Sequence, residues 1–150
     1  MRIHFRMLHI PSDWLWVRAH VPVIRAEDTT GIIAQDIETG NIVGAAIFDN
    51  WSASSVQAHF MITSPMVLRH GLLEEAFSYV FTQQNMKVMI GFIAGNNEKA
   101  LKLNAHMGFE VIHRIPDGYE PGVDFVLMQL TKEYCRYLPE YKRGVGKHGR

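Results

Sequence analysis

With 150 residues the chain has the length of one ordinary domain, and 47% apolar against 20% charged residues is the mixture of a globular protein rather than a disordered or fibrous one. Fifteen Lys plus Arg balance fifteen Asp plus Glu, so the overall basic field of a dedicated nucleic-acid binder is missing. The one cysteine, Cys135, excludes an intrachain disulfide, residues 1–6 lack a signal-peptide core, and no run approaches the roughly 20 apolar residues of a membrane helix; the cytoplasm is the expected location and no membrane role is expected.

Ile3, Phe5 and Met7 alternate with His4 and Arg6, the period of a first strand with one buried face. Ser12 then reads as the N-cap of a short helix carrying Trp14, Leu15, Val17 and Val21 and ending before Pro22. From residue 31 the chain reads as three strands. Residues 31–37 and 42–48 form a hairpin about Thr39-Gly40-Asn41, and residues 56–62 follow a polar stretch to complete a meander. Pro65 stops that strand, and beyond Gly71 the stripe Leu72, Leu73, Ala76, Phe77, Val80, Phe81 predicts the strongest helix in the chain.

Residues 87–93 form a buried strand, and a second helix opens at Asn96-Asn97-Glu98 and closes before Gly108. A final hairpin joins residues 109–115 and 124–130 through a turn at Pro116-Asp117-Gly118. The order β-α-β-β-β-α-β-α-β-β defines an α/β (α+β) domain over residues 1–138, with a strand between two helices as a crossover unit. Residues 139–150, with Lys142, Arg143, Lys147, His148 and Arg150 among glycines, read as a basic, flexible tail.

One segment carries a specific resemblance. Asn97 opens a helix, Ala100 lies three residues on, aliphatics follow, and Gly108-Phe109 closes it. Helical spacing puts Asn97, Ala100, Leu101 and Asn104 on one stripe, so that two amides and a small side chain face one direction. Together with the element order, this resembles the signature of the GNAT family of N-acetyltransferases and implies that family's fold, a mixed and mostly antiparallel sheet flanked by helices. The spacing and the segment from Leu127 to Arg136 resemble the small bacterial and bacteriophage members.

The resemblance implies an acetyl-CoA cofactor, with Asn97, Ala100 and Asn104 along its pantetheine arm, and direct transfer of the acetyl group to a primary amine on a small molecule or a protein. The family's glycine-rich pyrophosphate loop matches only at Arg69 and Gly71 within the segment Leu68, Arg69, His70, Gly71, Leu72, Leu73. A helix start can still offer backbone N–H groups and its dipole to a diphosphate, with Arg69 adding charge. Backbone N–H groups around Met61, Ile62 and Thr63 take the family's carbonyl-polarising role.

The family's usual thiolate acid is a Tyr where this chain has Asn104, which can bond the sulfur but cannot protonate it. Tyr134 and Tyr137 are alternative acids. For the general base, His59 on the third meander strand has a suitable pKa range and lies two residues before the carbonyl site; Asp36 and Glu38 are secondary candidates. The remaining histidines show no metal spacing, and Cys135 has no base beside it, so neither a metal site nor a cysteine nucleophile is expected. The alternative to an enzyme is a catalytically weak or inactive GNAT-fold protein that uses the fold for protein contacts, with Trp14, Trp16 and Trp51 as contact residues; a second copy (a homodimer) or another protein is the partner considered beside acetyl-CoA and the amine.

Overall fold

A computed structural model describes residues 1–141, so the basic residues of the tail, 142–150, lie outside the described residues. Seven strands form one mixed sheet in the order β1-β2-β3-β4-β5-β7-β6. They are β1 (Ile3–Met7), β2 (Thr30–Asp36), β3 (Ile42–Asp49), β4 (Ser55–Ile62), β5 (Val88–Ala94), β6 (Glu110–Glu120) and β7 (Val123–Thr131). The helices are α1 (Ile10–His20), α2 (Met66–Arg69), α3 (Leu72–Phe77) and α4 (Glu98–Met107), and α3 continues as a wider π segment over Ser78–Gln83. The chain divides into two compact units, Met1–Trp51 with Ala58–Ala76, and Ser52–Gln57 with Phe77 onward.

In the first unit the sheet carries a helix on each face. Val17 and Val21 of α1 pack with Ile33, Ala45 and Ile47, and Met61 leans on the same cluster. Gly44, one residue from Ala45, points the other way; a Cβ there would lie 3.0 Å from Val67 Cγ1 and 3.4 Å from Leu72 Cδ2, so α2 and α3 cover the opposite face. That contact fixes glycine at position 44.

The start of α1 differs from the expected one. His9 is the N-cap, Ser12 lies inside the helix, and the Asp13 carboxylate reaches back to accept the N–H of the cap residue His9 at 2.7 Å. Asp13 is buried and also receives Arg6 Nη1 at 2.7 Å and Nη2 at 2.9 Å, a bidentate pair between β1 and α1. The alternation in β1 is real but Met7, assigned to the buried face, is half exposed.

In the second unit, β4 runs parallel to β5 only from Ser55 to Gln57 against Val88 to Ile90. Met89, Gly91 and Ile93 are buried under α4, and β7 pairs antiparallel with β5 along its whole length. The helical stripe from Phe77 through Val80 and Phe81 is fully buried as expected, with Phe77 stacked on both Phe81 and Tyr137. Burying each such side chain contributes about 1.5–3 kcal/mol. The expected long α-helix, however, widens to i→i+5 bonding, with Gln84 N–H on the Tyr79 carbonyl at 2.9 Å.

The last hairpin also turns later than its composition suggests. Instead of turning at Pro116–Gly118, β6 runs to Glu120, and Pro121-Gly122 makes the turn, with Gly122 at φ +82° and its N–H on Asp117 Oδ1 at 2.7 Å. β6 is an edge strand, where a proline without an N–H is tolerated, and the pairing with β7 is irregular between Ile115 and Glu120.

Candidate functional site

The helix start after β4 is built from a short turn and a glycine. Within α2 and its end, Leu68 N–H bonds Pro65 O, His70 N–H bonds Val67 O, and Gly71 N–H bonds Leu68 O, all at 3.2–3.3 Å. Gly71 takes φ +101°, where an L side chain is strained although a Cβ would meet nothing nearer than 3.8 Å. α3 then begins, and its first intrahelical bond is Glu75 N–H to Gly71 O at 3.1 Å. Leu72, Leu73 and Glu74 precede that bond, so their N–H groups have no acceptor within the helix.

This narrows the predicted loop. The backbone N–H groups of Leu68, His70 and Gly71 are spent on the turn itself, while those of Leu72 and Leu73 head the helix even though their side chains are core. Arg69 and His70 are exposed, and Arg69 Nη1 lies 3.9 Å from Met66 Sδ. Glu74 and Glu75 sit in the same first turn and oppose an anion there.

Just beyond the end of β4, Thr63 N–H and Oγ1 both bond Val43 O, at 2.9 and 3.0 Å. Thr63 is therefore not a carbonyl-polarising donor. Strand alternation directs the Ile62 N–H to the other edge of β4, and the Met61 N–H to the same side as Thr63.

His59 shares a face with Met61, the face covered by α1. Its Nε2 lies 3.3 Å from Asp49 Oδ1, with only 13% and 11% of the two side chains exposed. Asp49 was not singled out in the sequence; its signal is the hydrophobic strand β3 ending on a carboxylate. Asp36 is buried and accepts the Glu38 N–H in the hairpin turn, and Glu38 is exposed, so neither stands at a reactive position. Phe48, on the opposite face, packs edge-on with Phe60 and Trp51.

In the second unit, Asn97 caps α4: its Oδ1 accepts the Ala100 N–H at 3.1 Å, and Gly108 closes the helix in the left-handed region. Asn97 is exposed and Ala100 half buried. Asn104 is buried, with its Nδ2 directed over Gly91, where an added Cβ would lie 2.8 Å from it. The stripe thus holds, but only its first part faces outward. Gly91→Ala is expected to cost about 1–3 kcal/mol, and Asn104→Ala should recover part of that in the double variant by removing the colliding amide. Urea unfolding of the four proteins measures the coupling, and simple additivity would show that the two positions do not touch.

Tyr137 is held by its ring on Phe77 and by Arg136 Nη2 donating to its hydroxyl at 2.7 Å. Cys135 is buried, and burial pushes its thiol up to about 11, so it stays protonated and unreactive. Among the described residues no three His, Cys, Asp or Glu side chains come together to hold a metal, and no helix is long and apolar enough to cross a membrane. A cavity of about 650 Å³ lies at the start of β5, lined by Lys87, Val88, Thr131, Lys132, Glu133 and Tyr141, and contains none of the predicted site residues.

No protein-family model and no curated protein matches this chain. Solved structures do. A spermidine/spermine N-acetyltransferase SpeG from Vibrio cholerae superposes with TM-score 0.68 at 15% identity, covering 87% of this chain and 92% of that one. The fold is that of the GNAT acyltransferases. A dodecameric spermidine N-acetyltransferase from the same organism gives TM-score 0.69 at 16% identity over 93% and 98% of the two chains. Its complex with CoA and spermine gives 0.64 at 15% identity over 86% and 95%.

Proposed function

We propose that the chain is an N-acetyltransferase, with residues 1–138 acting as one catalytic domain that moves the acetyl group of acetyl-CoA directly to a primary amine. The observation that carries this is the fold, shared nearly end to end with N-acetyltransferases, one of them solved with CoA and spermine. The residues present fit the coenzyme. The Leu72 and Leu73 N–H groups at the head of α3, with Arg69 and the positive-φ Gly71, suit a diphosphate, and Asn97 with Ala100 at the outward part of α4 suits a pantetheine arm. When bound, the coenzyme supplies the thioester.

The chain's own residues then orient, polarise and move protons. The Ile62 N–H polarises the carbonyl from the edge of β4 turned away from Thr63. His59 takes a proton from the ammonium substrate, and the buried Asn104 stands at the sequence position where the resemblance puts the thiolate's acid. Polyamines are the first substrates to test, because the similar structures are spermidine and spermine acetyltransferases; self-association and a bacterial or bacteriophage origin belong to the same reading.

A second reading, a GNAT-fold binding protein without turnover, is favoured by one feature: a buried amide instead of a protonating side chain at position 104. Thiol release from acetyl-CoA over a panel of amines beginning with spermidine separates the two. Calorimetry with acetyl-CoA tests the shared cofactor, and Arg69→Ala is expected to weaken binding by about 5–100-fold through loss of one charge-assisted bond. Equal affinity for wild type and variant would remove Arg69 from the site.

A further inference from the structure

We infer that Asp49 is a positioning residue for this reaction, which orients the His59 ring so that Nδ1, and not Nε2, is the atom that accepts the substrate's proton. The inference rests on the reading of His59 as general base. An ionised carboxylate can only accept a hydrogen bond, so the 3.3 Å contact between Asp49 Oδ1 and His59 Nε2 places the proton of the neutral ring on Nε2. The lone pair is then on Nδ1. Both side chains are nearly out of water, and both belong to one face of the sheet, Asp49 two residues beyond Ile47 and His59 two before Met61. Neighbouring strands hold them, so the ring is fixed by the sheet rather than by a mobile loop.

The proton count closes with this assignment. One proton of the ammonium passes to Nδ1, making an imidazolium that Asp49 stabilises, and the freed nitrogen lone pair forms the N–C bond to the acetyl carbon. The C–S bond breaks, its electron pair leaves on sulfur, and the second proton lost by the nitrogen goes to that thiolate. Nδ1 then returns its proton to solvent, leaving an amide and a free thiol.

Nitrogen-15 NMR of the histidine-labelled full chain reads the ring directly, without coenzyme or substrate. In the neutral form His59 is expected to show a protonated Nε2 and a bare Nδ1, and Asp49→Leu is expected to shift the ring toward a mixture of tautomers. Asp49→Leu should also lower kcat roughly 10–100-fold with the KM for acetyl-CoA unchanged, as removal of an orienting partner does elsewhere. Asp49→Asn serves the same purpose should the leucine variant misfold. A proton on Nδ1 in the wild-type neutral ring, or a tautomer ratio and kcat unmoved by both variants, would overturn the inference. If His59→Gln leaves turnover intact, the base assignment falls and this role with it; if His59→Gln abolishes turnover while both Asp49 variants keep it, Asp49 alone is removed.

Discussion

Turnover of the His59→Gln protein is expected to fall by about 10²–10⁴-fold in kcat, the usual contribution of a positioned proton acceptor, while its affinity for acetyl-CoA stays at the wild-type value. The expectation follows from chemistry and place together. An amine is protonated at neutral pH and cannot attack a thioester until it loses a proton, and His59 lies on β4 two residues before Met61, held by a carboxylate. Glutamine keeps a hydrogen-bonding group of similar size in the sheet, so the fold is retained. Steady-state kinetics on an amine found in the panel, with calorimetric binding of acetyl-CoA beside it, provides the check. An equal drop in coenzyme affinity would assign His59 to binding, and an unchanged kcat would remove it from catalysis.

Arg6→Met is expected to destabilise the fold by about 3 kcal/mol, at the low end for breaking a buried pair because the Arg6 side chain keeps 27% of its surface exposed. For a chain of this length that lowers Tm by roughly 6–12 °C. The cost arises on the other side of the pair. Asp13 is left as a buried carboxylate with the His9 N–H as its remaining partner named above, and it holds the start of α1. Burial alone raises the Asp13 pKa, but the Arg6 hydrogen bonds, the His9 N–H and the Arg6 charge outweigh it and hold the group below the usual carboxylate range. A depressed folded-state pKa contributes stability above the unfolded value near 4, and that contribution is lost as pH falls through the folded value. Thermal unfolding from pH 7 down to pH 2 should therefore show a smaller loss on the acid side for Arg6→Met than for wild type. Parallel curves would mean that the pair carries no net stability.

The parts of the fold that were legible in the sequence are those set by neighbours along the chain. α4 was readable end to end because Asn97 and Gly108 are local stop signals, a capping amide and a left-handed residue, and they take those roles in the fold. The hairpin about Gly40 and the buried stripe from Leu72 to Phe81 were readable for the same reason. Ser12 misled because the helix starts three residues earlier, after His9, with Pro11 in its first turn and the Asp13 carboxylate accepting the His9 N–H. The π widening after Phe77 left no trace, since the stripe of buried positions is equally served by either helix. Pro116 suggested a turn because its tolerance depends on β6 being an edge strand, a property of the whole sheet.

By itself the sequence determined the succession of strands and helices and the two ends of α4, because each depends on dihedral preferences and periodicity within a few residues. Only the tertiary structure decided that Asp49 meets His59, that Asp13 is buried against Arg6, and that Asn104 turns inward over Gly91. Those are pairings between residues on different strands and helices, fixed by register and packing, and no local rule of spacing encodes them.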